Sequence, residues 1–121
     1  MLLHKTSVDI TTTAGGAATV YLGSNIRGKL LSLRYYPGTI ATGGDLTITL
    51  ETSGTPVLTV TNAGTANLSW YPRASANQVA DAAAITDSAE YIPIVDERIK
   101  VVVAQGGATK TGSIEATWLA H

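Results

Sequence analysis

What most constrains this chain is an alternation of apolar and polar residues with a period of two, repeated along most of its length. Leu46, Ile48 and Leu50 alternate with Thr47, Thr49 and Glu51, and Leu58 and Val60 alternate with Thr59 and Thr61. Leu31, Leu33 and Tyr35 alternate with Ser32, Arg34 and Tyr36. Ile99, Val101 and Val103 do the same, as do Ile114, Ala116 and Trp118, and Val8 and Ile10. Successive side chains of a strand point to opposite faces, so each run is a half-buried strand with one face on a core. Threonine, with 18 copies, fills many of the outward positions, where its branched Cβ packs well on a pleated surface.

Glycine punctuates the runs. Gly15-Gly16, Gly23-Ser24-Asn25, Pro37-Gly38, Gly43-Gly44, Ser53-Gly54, Asn62-Ala63-Gly64 and Gly106-Gly107 all fall between them and read as turns. Strands are therefore expected near 5–13, 17–22, 29–36, 45–52, 56–61, 67–71, 91–95, 97–104 and 112–119. Short strands broken by turns at this spacing predict an all-β fold, a single-domain antiparallel β-sandwich of jelly-roll-like character spanning residues 1–121.

Two segments break the pattern. Residues 72–89 (PRASANQVADAAAITDSA) are Ala-rich and lack the period of two. They read as a long loop in which Asn77 could cap a short helix, and loops of this length are often contact elements. Residues 1–5 place Leu2 and Leu3 beside His4 and Lys5, ahead of the first clear strand. They are a frayed terminus, the beginning of that strand, or an N-terminal arm that reaches a neighbouring subunit.

Charge narrows the function. Only 14% of residues are charged, and 8 Lys+Arg against 9 Asp+Glu leave a net charge of −1. That excludes a basic nucleic-acid footprint spread over the whole domain, and the basic residues are scattered, which leaves room only for a local patch made by the fold. No apolar run reaches the ~18 residues that would span a bilayer, and the first residues do not form a signal peptide. So few charges do little to keep copies of a small domain apart, which suggests that part of its surface is covered by protein.

Reactive chemistry finds little to stand on. The chain has no cysteine, hence no disulfide, thiolate ligand or thiol nucleophile. Its 2 histidines, His4 and His121, sit at the extreme ends, where a catalytic or metal-binding pair would lack rigid support. Asp96, Glu97 and Arg98 read as a charged strand entry or turn, and no carboxylate spacing marks a catalytic pair or a calcium loop. The Gly-Gly pairs lack the lysine of a phosphate-binding loop, and no nucleophile elbow occurs. No cofactor, metal or small-molecule substrate is expected, and no enzymatic activity.

The aromatic residues are more informative. On a strand Tyr35 and Tyr36 must point to opposite faces, as must Trp70 and Tyr71, and in a chain without phenylalanine one ring of each pair is needed in the core. The outward ring can anchor a protein interface or stack on a sugar. Trp118 shares a face with Ile114 and Ala116 and belongs with the core. The expected interface set is Leu2, Leu3, Tyr36, Tyr71, Arg73, Val79 and Ile85.

The stretch Glu97-Arg98-Ile99-Lys100-Val101-Val102-Val103-Ala104-Gln105-Gly106-Gly107-Ala108-Thr109-Lys110-Thr111-Gly112-Ser113-Ile114 reads as strand, Gly-Gly turn, Lys-Thr-Gly, strand. It resembles the closing hairpin of small all-β virion proteins of tailed bacteriophages, of the decoration or cement kind, whose Thr/Ala/Gly-rich, cysteine-free composition is also similar. The resemblance implies a sandwich on the outer face of a capsid that holds neighbouring capsomers together. Its partners would be the major capsid protein and copies of itself, as in a trimer, and its location the virion. The Ala-rich loop has no counterpart that carries over. The alternative reading is a carbohydrate- or receptor-binding module of a tail fibre or adhesin.

Overall fold

The computed structural model describes residues 2–120. It is all-β, with seven strands in one antiparallel sheet: β1 (Leu2–Thr11), β2 (Ala18–Tyr36), β3 (Asp45–Leu50), β4 (Pro56–Val60), β5 (Leu68–Trp70), β6 (Ile92–Ala104) and β7 (Thr111–Ala120). Nine strands were expected from the sequence; four of those merge into two. Residues 17–22 and 29–36 are one strand, because Gly23-Ser24-Asn25 forms a bulge inside β2 rather than a turn. Residues 91–95 and 97–104 likewise form β6, which bends where Asp96 takes a positive φ of 58°.

The length of β2 organises the fold. Its residues 18–30 pair with β6, its residues 28–36 pair with β7, and residues 33–35 also pair with β5. The chain thus makes two four-stranded layers, β1-β7-β2-β5 and β2-β6-β3-β4, with β2 belonging to both. The inward faces of the two layers contribute to a single core. Ile10, Ile114, Leu33 and Tyr35 come from one, and Leu22, Ile99, Val101 and Ile48 from the other. One core shared by both halves of one sheet requires the sheet to fold over on itself, as a sandwich does.

The crossing point is tight. Gly28 has φ +150°, and a Cβ there would lie 1.8 Å from the carbonyl oxygen of Leu119 on β7. Beyond it, a register shift between Leu30 and Ser32 moves the alternation by one residue. Leu30, Leu33 and Tyr35 are therefore buried, whereas Leu31, which the sequence pattern placed inward, is only half-buried. A similar shift between β3 and β4 buries Val57 in preference to Leu58.

The closing hairpin expected from residues 97–114 does not form. β6 pairs with β2 and β3, and β7 pairs with β1 and β2, so the two flank β2 and belong mainly to different layers. The loop between them is tied across the end of the sandwich. The buried Thr12 hydroxyl donates to Gly107 O at 2.7 Å and accepts from Lys110 N at 2.7 Å, and Gly106 N donates to Gly16 O at 2.8 Å.

Leu2 to Lys5 are the first rungs of β1, paired in continuous register with β7 from Leu2 opposite Ala120 onward. Of the readings offered for residues 1–5, Leu2 to Lys5 take that of the start of the first strand within this chain; Met1 lies outside the described residues. Asp96-Glu97-Arg98 is not a strand entry but the middle of β6. Glu97 is buried, and its Oε1 accepts from Thr52 N at 2.8 Å, Ser53 N at 2.9 Å and Ser53 Oγ at 3.4 Å, pinning the β3–β4 turn.

The Ala-rich segment contains no helix. It is an irregular hairpin-like flap with isolated bridges between Ala74 and Glu90 and between Asn77 and Ala84. Asn77 does not cap a helix: its Nδ2 donates to Ala82 O at 2.9 Å, while Asp81 Oδ1 accepts from Ala83 N at 3.0 Å. Short Asn and Asp side chains that satisfy a turn in this way compete with the helix, and a helix of two turns has little stability of its own. Ala82, with φ +62°, completes the reversal. The accessible surface of 6790 Å² exceeds the roughly 6,000 Å² expected for this mass, in keeping with a segment that stands off the body.

Two outcomes follow from these contacts. Gly28→Ala should cost more than about 3 kcal/mol in chemical denaturation, because the backbone of β7 must move. Gly54→Ala, with φ +73° but open space around it, should cost only about 1 kcal/mol. Hydrogen bonds from the backbone of Ser53 lead the effects that lower the Glu97 pKa, followed by those from Thr52 N and the Ser53 hydroxyl, against an opposing effect of burial. The stability this carboxylate contributes is present above its ordinary range and is lost as pH falls through the lowered folded value. Glu97→Gln should therefore be less stable than the parent at neutral pH, and thermal melts should converge as the pH is taken below the ordinary carboxylate range.

Candidate interaction surface

The flap is the most exposed part of the molecule. Every residue from 77 to 87 is exposed, with Val79 fully so and Ile85 40% exposed. Apolar side chains gain nothing from this position in an isolated copy; burying each against a partner would be worth about 1.5–3 kcal/mol before entropic costs. Internal bonds define the flap's shape even so. Ala76 N donates to Ser88 Oγ at 2.8 Å, and Ile85 N donates to Ala76 O at 2.8 Å.

The root of the flap is anchored to β2. Arg73 Nη1 donates to Leu31 O at 2.9 Å and to Pro72 O at 2.8 Å. The same guanidinium lies 4.3 Å from the centroid of the Tyr91 ring, and Lys29 Nζ lies 6.0 Å from it. These contacts tie the root of the flap to Tyr91, just ahead of β6.

The sequence-expected residues fall into three groups. Tyr71, Arg73, Val79 and Ile85 belong to the flap or its root; Tyr71 is 68% exposed and Arg73 half-buried. Leu2 and Leu3, 63% and 67% exposed, lie at the far end of β1. Tyr36 is half-buried at the end of β2, with the Arg34 guanidinium 5.7 Å from its ring. Nothing brings these seven onto one patch. The dyads divide as the alternation requires: Tyr35 is buried and stacks on Trp70 at 5.8 Å, while Tyr36 and Tyr71 turn outward. Trp118 is half-buried against the core and stacks on His4 at 5.6 Å, which occupies that ring in packing; His121 lies outside the described residues.

The sequence reading missed Tyr91 and Val95, which are 42% and 76% exposed. The signal was present, since Ile92 and Ile94 are core residues and Tyr91, Pro93 and Val95 alternate with them. Beside them Arg27, Gly28, Lys29, Pro93, Ile94 and Val95 line a shallow groove on the flank of the crossing point.

Among the described residues no group of three or more His, Cys, Asp or Glu side chains could hold a metal ion. No helix among them is long and apolar enough to cross a membrane.

No protein-family model matches the chain, and no curated relative matches it. Among solved structures it is similar to a chain from "Bacillus endospore appendages form a novel family of disulfide-linked pili", with 19% identity, a TM-score of 0.49, and 99% of this chain and 88% of that one covered. A likeness at this level carries no argument about function.

Arg73→Ala should loosen the flap without unfolding the sandwich. Hydrogen exchange and limited proteolysis should quicken across residues 74–90, while the global melting temperature changes by only a few degrees.

Proposed function

We propose that this chain is a structural virion protein of the decoration or cement kind, a non-catalytic β-sandwich that packs against the major capsid protein on the outer surface of a bacteriophage head. The observation that carries the reading is the flap. It presents Val79 and Ile85 to solvent from a segment whose shape is fixed by its own hydrogen bonds and whose root is clamped by Arg73. A preformed apolar projection suits docking onto another protein, because little ordering entropy is lost on binding. Repetition of the site around a shell makes a modest contact sufficient through avidity. The low charge of the chain supports close approach of neighbours, and the resemblance in composition supplies the capsid as the partner. Carbohydrate stacking is less well served, since Arg34 lies over the ring of Tyr36 and leaves Tyr71 as the one outward dyad ring with an open face among the described residues.

The test is co-sedimentation with empty capsids assembled from the major capsid protein of the parent phage. The parent chain should pellet with the capsids. The double variant Val79→Asp, Ile85→Asp should remain in the supernatant while keeping the parental melting temperature. Failure of the parent chain to pellet removes the capsid reading.

A further inference from the structure

The outer edge of β1 is a ten-residue strand without proline, glycine or bulge, paired on one side only. Thr12 N donates to Lys110 O at 2.8 Å, continuing the register that sets Thr11 opposite Thr111. Backbone groups alternate sides along a strand. The even-numbered residues of β1 therefore turn their N–H and C=O toward β7. Those of Leu3, Lys5, Ser7, Asp9 and Thr11 point away from it, and they make no other backbone hydrogen bond among the described residues. The side chains of the same five residues lie on the outer, exposed face. Long edges of this kind are usually blunted or covered.

The charges along this edge are self-complementary. Lys5 and Asp9 are equidistant from Ser7. When two copies of β1 are laid antiparallel about a two-fold axis through Ser7, Lys5 falls opposite the partner's Asp9, and Asp9 opposite the partner's Lys5. Leu3 then meets the partner's Thr11. Every one of these residues is of the outward-bonding set, so each opposed pair exchanges two backbone hydrogen bonds. A register displaced by two residues at either copy loses both charge pairs. Within its own chain Asp9 faces Ser113 and forms no ion pair among the described residues, and Lys5 reaches only Glu115, at 4.0 Å.

We propose that β1 is a homodimer interface, at which a second copy of this chain adds its own β1 antiparallel, centred on Ser7, to join the two β1-bearing layers into one continuous sheet. An isologous interface of this kind repeats each contact twice and closes after two copies. It does not rest on the virion reading, and the capsid experiment is indifferent to it.

Sedimentation equilibrium on the full chain reads the association directly. The parent should reach a dimer mass. Lys5→Glu and Asp9→Lys, each creating two like-charge pairs across the axis, should each raise the dissociation constant about tenfold or more. The double variant carrying both should regain most of the lost affinity, a recovery that a purely structural role for either side chain does not give. Circular dichroism checks that the single variants are folded, and either one suffices. A second readout uses the absence of native cysteine. Ser7→Cys should form a disulfide-linked dimer on mild oxidation, since paired Cα atoms about 5.5 Å apart lie within disulfide reach. Asp9→Cys, set roughly 13 Å from its symmetry mate, should not. A parent that stays monomeric, a trimer mass, charge reversals without effect, or equal cross-linking at both positions would each overturn the proposal.

Discussion

The carbonyl oxygen of Leu119 sits where a side chain on residue 28 would begin. That close approach lets β7 cross onto the second half of β2 while β6 still holds the first half. Around it a single strand serves two layers, and one hydrophobic cluster fills the space between them. The bulges at Gly23–Asn25 and near Leu31 turn the strand and reset which side chains face inward. Without them the alternation of residues 18–36 would keep one face throughout, and the sheet would stay open.

This explains what could be read from the sequence. A half-buried strand leaves a local signature, so Leu46, Ile48 and Leu50, or Ile99, Val101 and Val103, declared themselves without knowledge of their partners. Bulges leave a signature that is the same as that of turns, because both favour Gly, Asn and Ser; hence β2 looked like two strands. Pairing leaves almost none. Residues 97–114 have the composition of a hairpin, yet β6 and β7 find better partners on the two sides of β2, and no local pattern encodes that choice. At the surface, the outward members of the Tyr-Tyr and Trp-Tyr dyads followed from parity alone. Val95 and Tyr91 follow from the same rule, alternating with Ile92 and Ile94 in the strand expected at 91–95. The flap defeated propensity: alanine favours a helix, but Asn77 and Asp81 bind their own turn.

The molecule divides its labours spatially. The interior of the sandwich is apolar apart from isolated groups such as the Tyr35 hydroxyl, which has no hydrogen-bond partner among the described residues and whose pKa is raised by burial. Charged pairs such as Arg98 with Glu51 and Arg27 with Asp96 lie toward the outside. The exposed flap, which follows β5, and the outer margin of β1 belong to opposite ends of the strand order β1-β7-β2-β5. One offers side chains and the other backbone, so the two could serve different neighbours without competing.

The opposed placement of Leu2 and Ala120 has a mechanical corollary. Tension applied to those two points would peel β1 from β7 like a zipper, loading one rung at a time, and rupture would come at low force. Tension carried along β2, by contrast, would strain many rungs in both layers simultaneously. A subunit built this way opens more readily from that corner than it shears across its body.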